Sequence, residues 1–480
     1  MGYETIGEEE KRMAQVKQTT ASAETEIRPF GIRDKVGYML GNVGNDFTFQ
    51  LATTYLMIFL TNVYGISPAF VGTLFLVARM VDAFTDVGMG IIIDQSKPTK
   101  DGRFIPWVKR MAIPVTVASM LMYNIFITDW SLSAKMIYAT ITYLIWGSFT
   151  YTAVNIPYGS MASVISTKSE DRASLSSFRN LGSLFAGLFV GVIVPLFVYT
   201  TDASGNQVVN ATNFFFIALV FSGISLLCYF LFTKLAKERV SLPVQEREKL
   251  NIAEDLRDLL KDRAFIAVVL NALLALVAQW SASSLNQYLF LEYFNNTTIL
   301  PLLNMINLVG MALIIPFVGK ITKRFGKKEG GYVGLYIASA IYALLFFMRP
   351  TNPWIFILCV LVSSIATSYY MMVSYAYVTD VIDNFQLNTG KRKDGTIYSM
   401  YSFTRKLGQA LAGGIGGWAL AWIGYNQTLA IQTPEVKTSI FLVSVAIPAI
   451  CYLLAAVTLH FLFPLNKENI AKNEKIMRAL

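Results

Sequence analysis

From about residue 36 to about residue 464 the chain alternates long apolar runs with short polar connections. Twelve runs are centred near residues 50, 80, 117, 148, 187, 222, 276, 307, 340, 366, 410 and 449. A helix needs about 20 largely apolar residues to cross the hydrocarbon core of a bilayer, and each run offers roughly that length. The pattern predicts an all-α polytopic membrane protein with 12 transmembrane helices in two six-helix bundles, residues 36–233 and 264–464. Residues 1–35 are polar and of mixed charge, with a Glu-Glu-Glu-Lys-Arg run at 8–12 and no apolar stretch of signal-peptide type. They are expected to form a cytosolic tail. Residues 234–263 are charged, but Leu250, Ile252, Leu256, Leu259 and Leu260 recur at helical spacing, which predicts a surface helix in a cytoplasmic linker. Residues 465–480 read as a short cytosolic tail.

Composition agrees with a bilayer as the solvent. The chain is 54% hydrophobic and 15% charged, whereas a soluble domain carries about 25% charged residues to cover its water-facing surface. A net charge of +9 would in a soluble protein suggest a polyanionic partner. Its distribution removes that reading: 33 Lys and Arg fall in connections that alternate on one side, three (Lys135, Arg349, Lys437) on the other, and four (Arg79, Arg179, Arg405, Lys406) inside runs. Basic residues gather on the cytoplasmic face, so both termini are placed in the cytoplasm and no nucleic acid is expected. Cys228, Cys359 and Cys451 all lie in apolar runs and read as small packing residues. Neither a nucleotide-binding motif nor a catalytic constellation stands out, so neither an enzyme nor an ATP-driven pump is expected.

A weak internal repeat supports two halves. The connections at 90–103 and 319–328 each begin with a Gly and carry a basic cluster and a second Gly before the next run. They occupy corresponding positions, as in transporters built from parallel repeats.

The candidate chemistry lies in the charges kept inside runs, each of which costs about 2.5 to 3.5 kcal/mol to insert and should therefore face a cavity or a partner. The first run carries Asn45 and Asp46. The second carries Arg79, Asp82 and Asp86, whose spacings of three and four residues put all three on one helix face. Two carboxylates one turn apart repel when both are ionised, and a proton or a small hard ion such as Na⁺ relieves the repulsion. The alternative is an Arg-Asp clamp without a transport role. The fourth run offers Tyr151, Thr152, Asn155 and Pro157, with Thr152 and Asn155 on one face. Arg179 opens the fifth run, and Arg405 and Lys406 lie in the eleventh. Carboxylates that accept and guanidinium groups that donate in forked geometry suit a ligand rich in hydroxyls, such as a sugar. Tyr369, Tyr370 and Tyr375 are candidates for stacking on a sugar face, although tyrosines in membrane proteins more often pack or line the interface. His460, the sole histidine, is expected at the cytoplasmic interface.

Three segments, ARMVDAFTDVGMG with the following GRFIPW, TYTAVNIPYGSM, and TDVIDNFQLNTGKRKDGTIYS (379–399), occur in this order. In them the chain resembles the glycoside-pentoside-hexuronide:cation symporters, relatives of melibiose permease within the major facilitator superfamily. The resemblance runs from about residue 30 to 465. It implies that Asp82 and Asp86 serve the coupling cation with Thr152 as a neutral ligand and Lys406 close by, and that Asp46 and Arg179 bind sugar hydroxyls. It also marks departures: Asn155 replaces a third carboxylate, Gly159 a sugar-stacking tryptophan, and Asn45 a lysine of melibiose permease. The expected protein is thus a cytoplasmic-membrane sugar:cation symporter working by alternating access. It is nearest in appearance to the xyloside (isoprimeverose-type) and glucuronide transporters. The expected substrate-binding residues are Asp46, Asn45, Asn155, Arg179 and Tyr151, and the expected cation-coupling residues are Asp82, Asp86, Thr152 and Lys406. No cofactor is expected beyond the coupling ion, H⁺ in preference to Na⁺ because Asn155 removes an anionic ligand; Na⁺, if used, would sit at Asp82, Asp86 and Thr152. The expected partners are a small sugar and the lipid bilayer. Other readings on the same fold are a glucuronide symporter, a Na⁺-coupled glycoside symporter, a lipid flippase and a membrane sensor.

Overall fold

The computed structural model describes residues 28–166, 168–239, 259–390, 394–429 and 431–479. The first half contains α1 (Ile32–Asn62), α2 (Pro68–Gln95), α3 (Ile105–Leu121), α4 (Leu132–Leu144), α5 (Thr152–Ile165), α6 (Ser169–Val198) and α7 (Ala211–Leu235). A π-helical segment, Ile145–Tyr151, joins α4 and α5 into one rod, and a hairpin of β1 (Tyr199–Thr201) and β2 (Gln207–Val209) links α6 to α7. The second half contains α8 (Arg263–Tyr288), α9 (Leu300–Phe325), α10 (Lys327–Met348), α11 (Pro353–Thr389), α12 (Asp394–Trp422), α13 (Pro434–Val457) and α14 (Lys467–Ala479).

Seven helices among the described residues are long and apolar enough to cross a membrane. They do not include α1, α2 and α12, which carry Asp46, the Arg79–Asp86 face, Arg405 and Lys406. The helices start on chemistry the chain provides at their caps. Ser67, Asn352 and Thr433 each cap an N-terminus with a side-chain oxygen and are each followed by a proline, whose missing N–H costs nothing there. Most of the expected surface helix falls at 240–258, outside the described residues, while Leu259 is buried and Leu260 exposed. The helices on either side, α7 and α8, run one or two residues into the 234–263 segment.

The two repeat connections have the same local geometry. Gly102 has φ 104° and Gly326 φ 107°, each just before the next helix begins, in a region that favours glycine. At the first, the Glu238 carboxylate accepts the backbone N–H groups of Arg103, Phe104 and Ile105, each at 2.8 Å, and so caps α3. At the second, Glu329 lies against Gly326 in the first turn of α10. The first residues of the linker are tied to the first half in a similar way. Asp34, fully buried, accepts from Arg28 (3.0 Å) and Arg239 (2.9 Å).

The halves pack through α2 on α12, α6 on α9 and α1 on α8. The hydrogen bonds and close contacts that join them gather at the end opposite the basic connections. Thr61 meets Tyr288 at 2.7 Å, Tyr199 donates to Gln287 at 3.0 Å, and Asn304 donates to Gly191 O at 2.9 Å. Trp418 donates to Thr73 at 3.0 Å, and glycines let the backbones of α2 and α12 touch. Toward the basic end the cleft opens, and Arg179, Tyr375 and Tyr398 are exposed there. The halves are joined at the end away from the basic connections, and the cleft opens at the basic end.

Gly417 and Gly416 make this closure testable. A Cβ on Gly417 would collide with Pro68 O and Gly72, whereas one on Gly416 meets nothing within 4 Å. Overpacking a tight interface costs about 1 to 3 kcal/mol. Gly417→Ala is therefore expected to lower the thermal midpoint of the purified protein by several degrees and Gly416→Ala to leave it or raise it slightly, as followed by intrinsic fluorescence.

Candidate functional site

Two polar clusters line the cleft, both built on elements of the first half, with Lys406 of the second half completing one of them. In the first, Asn42 on α1 sits one turn before Asp46 and donates to its Oδ2 at 2.9 Å and to Ser183 Oγ on α6 at 2.7 Å. The Asn42 carbonyl accepts from Arg179 Nε at 3.3 Å, so one amide connects the guanidinium to the carboxylate. Arg179 also lies 5.8 Å from the centroid of Tyr158, a ring stacked on Tyr38 at 4.7 Å. Asp46 is half-buried and Arg179 exposed to the cleft, which leaves both able to take a ligand. A carboxylate acceptor and a forked donor held side by side are suited to vicinal hydroxyls.

In the second cluster Asp82 is buried with both oxygens occupied. Arg79 Nη1 donates to Oδ2 at 3.0 Å and Ser148 donates to Oδ1 at 2.5 Å. Asp86 takes a donor from its own half and a cation from the other. Thr152 Oγ1 donates to its Oδ1 at 2.8 Å, and the Lys406 ammonium of α12 contacts its Oδ2. The π-helical segment makes this possible. Its wider turn brings Gly147 and Ser148 beside Asp82, and the Thr150 and Thr152 hydroxyls fold back onto carbonyls five residues earlier. This distortion lies ahead of Pro157, and no proline marks it.

An aromatic ridge lies alongside both clusters. Tyr151 stacks on Phe49 at 5.5 Å, Phe49 meets Trp280 of the other half edge-on at 6.3 Å, and Arg79 lies 5.2 Å from the Phe49 centroid. On the second half, Arg405 donates to the Tyr375 hydroxyl at 2.8 Å, and Tyr398 lies within electrostatic reach of both Arg405 and Arg179. Among the described residues neither Arg405 nor Arg179 forms an ion pair.

The structure brings together Asp46, Arg179 and Tyr151 on the cleft, and Asp82, Asp86, Thr152 and Lys406 in the second cluster. Asn155 is half-buried one turn beyond Tyr151 and makes no side-chain hydrogen bond among the described residues. Asn45 is not in the cleft. It is 1% exposed, turned into the first half, where it accepts from Tyr229 at 2.9 Å and its Nδ2 lacks a partner. Neighbouring helical residues differ by about 100° in direction, so Asn45 and Asp46 cannot share a face. Tyr369 bonds to Thr322 and Gly326 O, Tyr370 is packed inside the second half, and only Tyr375 of the three reaches the cleft. His460 stacks on Tyr332 and Phe461, each at 4.2 Å. Asn42, Ser183, Ser148 and Phe49 were not singled out from the sequence. Asn42 alone carried a signal, its place four residues before Asp46.

The chain matches the family model described as MFS/sugar transport protein over residues 37–467. It is similar to the glucuronide carrier protein homolog of Escherichia coli (strain K12), 31% identical over 437 residues that cover 90% of this chain and 93% of the relative. It is 28% identical to the isoprimeverose transporter of Lactiplantibacillus pentosus over 430 residues, 89% and 88% of the two chains. Among solved structures it resembles the inward-open conformation of the xylose transporter XylE from E. coli, with a TM-score of 0.61 over 93% of this chain and 98% of that one. At 13% identity that likeness speaks to the fold alone.

Ser148 tests the second cluster. Removing one donor from a buried, ion-paired carboxylate costs about 1.5 to 3 kcal/mol. Ser148→Ala is expected to lower the thermal midpoint, and Ser148→Thr, which keeps a hydroxyl, to restore most of it.

Proposed function

The chain belongs to the MFS/sugar transport protein family, in its glycoside-pentoside-hexuronide:cation symporter branch, and from that premise we propose that it imports a xyloside-type glycoside together with H⁺. It is a multi-pass protein of the cell membrane and not an enzyme. On this reading it crosses the membrane 12 times with both termini in the cytoplasm, and the two bundles alternate access to the cleft. The observation that carries it is the pair of clusters on one cleft, Arg179–Asn42–Asp46 for sugar hydroxyls and Asp86–Thr152–Lys406 for the coupling ion. The isoprimeverose relative supports the xyloside. Asn155 in place of a third acidic ligand supports H⁺ over Na⁺, because a metal ion gains more from added anionic oxygens than a proton does.

One observation favours a second substrate. Arg79, Arg179, Arg405 and Lys406 stand against three carboxylates, Asp46, Asp82 and Asp86, and among the described residues Arg405 donates to the Tyr375 hydroxyl and forms no ion pair. A sugar carboxylate held between Arg179 and Arg405 would balance that excess through forked hydrogen bonds, and the 31% identical relative is a glucuronide carrier homolog.

Right-side-out vesicles separate these readings. An imposed inward pH gradient is expected to drive accumulation of labelled xyloside without Na⁺, and uptake that responds only to Na⁺ overturns the proton assignment. Asp86→Asn is expected to reduce gradient-driven accumulation at least tenfold while sugar exchange persists; full accumulation removes Asp86 from coupling. If the glucuronide is the substrate, it competes at lower concentration than the xyloside, and Arg405→Gln weakens its competition about tenfold while sparing the xyloside.

A further inference from the structure

The closed outer end holds a buried carboxyl that plays no part in the cleft. Glu292 lies in the π-helical turn Leu289–Tyr293 that continues α8, and it is 7% exposed. Its Oε1 accepts from the Tyr425 hydroxyl at 3.2 Å. The same hydroxyl accepts from Asn62 Nδ2 at 3.0 Å and lies 3.3 Å from Asn62 Oδ1. Asn62 is the last residue of α1 and belongs to the other half. Tyr425 follows Gly424, φ 80°, in the turn after α12, and its ring packs edge-on against Tyr288 at 5.3 Å. The Tyr288 hydroxyl in turn meets Thr61. Two packed tyrosines of the second half are therefore bonded to consecutive residues at the end of α1. Other polar groups near Glu292 among the described residues include the Gln432 backbone amide, Lys437 and the Tyr288 hydroxyl.

Building on the symporter reading, we propose that Tyr425 is a positioning residue of the outer gate, oriented by Glu292 so that it latches Asn62 and holds the outer side closed. A phenol hydroxyl keeps its hydrogen near the ring plane in either of two orientations; an acceptor on one side selects one of them and leaves the lone pairs to the opposite side. Glu292 supplies that acceptor, and Asn62 is the donor the lone pairs then meet. When the halves part, Asn62 leaves and the tyrosine and carboxyl pass to water, where both are well solvated. The latch is strong enough to bias the closed form and weak enough to break in each cycle.

Two reporter cysteines in a chain with Cys228, Cys359 and Cys451 changed to Ser test this in vesicles without sugar. Ser284→Cys reports the outer route: it is buried between the halves beside Thr53 and Gln409. Ser402→Cys reports the inner cleft, on the α12 face that carries Tyr398 and Arg405. With a membrane-impermeant maleimide, Tyr425→Phe and Glu292→Leu are each expected to raise Ser284→Cys labelling from outside about tenfold. In inside-out vesicles they should lower Ser402→Cys labelling. Glu292→Gln, which keeps the acceptor oxygen, stays within twofold of the parent, and adding Asn62→Ala to Tyr425→Phe brings no further change. Labelling unchanged at both reporters overturns the latch, as does a rise at both, which marks a loosened fold, or an additive double variant. Because no sugar is present, a wrong substrate leaves this result intact, and an absence of uptake by the unmodified chain counts only against the symporter reading.

Discussion

A bilayer holds ionised side chains only where each meets a partner or faces a water-filled cavity, and the cleft is organised by the way its carboxylates are matched. Asp82 is satisfied inside its own half by Arg79 and Ser148. Asp86 is satisfied only in part by its own half, through Thr152, and takes its cation from Lys406 across the interface. The first arrangement lies wholly within one half; the second spans both, so movement of one half against the other would break or remake it. Arg79 and Lys406 differ in just the respect this requires. Arg79 lies against the Phe49 ring with 12% of its side chain exposed, whereas Lys406 has 41% exposed and a flexible stem bearing a point charge.

The closure at the end away from the basic connections has the complementary character. It consists of scattered hydrogen bonds between neutral groups and of glycine-lined backbone contact between α2 and α12. Each such bond contributes about 0.5 to 1.5 kcal/mol net, and the differential binding energy of a ligand between two states is about 1 to 3 kcal/mol. Energies of comparable size let a ligand shift the balance. A continuous apolar seam at the outer end would bury area worth far more than any ligand supplies. The large apolar side chains lie instead inside each half or on the outward surface of the helices, where Phe84 and Phe347 stand exposed.

Much of this was legible in the sequence because the bilayer penalises charge so heavily that Asp46, Asp82, Asp86, Arg179 and Lys406 announce themselves. The repeat was legible for a related reason: two glycines before corresponding helices, Gly102 and Gly326, share a backbone region few other residues adopt. The neutral partners were not. Ser148, Ser183 and Asn42 are ordinary residues in apolar runs, and only the backbone decides whether such a hydroxyl or amide meets a carboxylate or a carbonyl of its own helix. Ser148 reaches Asp82 because the π-helical segment widens the turn, and that segment has no single residue that signals it. Asn45 shows the converse error, since adjacency in the chain to Asp46 suggested a shared role that helical geometry denies.

The two clusters are not independent, and the element that joins them is α1. Asp46 and Phe49 are three residues apart and therefore lie on one face of that helix. A sugar bonded to Asp46 and Arg179 would lie next to the Tyr151–Phe49 stack, and Phe49 in turn bears on Arg79, which holds Asp82. Thr152, adjacent to Tyr151, holds Asp86. Any displacement of the Tyr151–Phe49 stack by a ligand is felt on one side through Arg79 and on the other through the turn that carries Thr152. On the symporter reading, a sugar and its ion would thus be linked by contiguous contacts within the first half, with Lys406 joining them to the second.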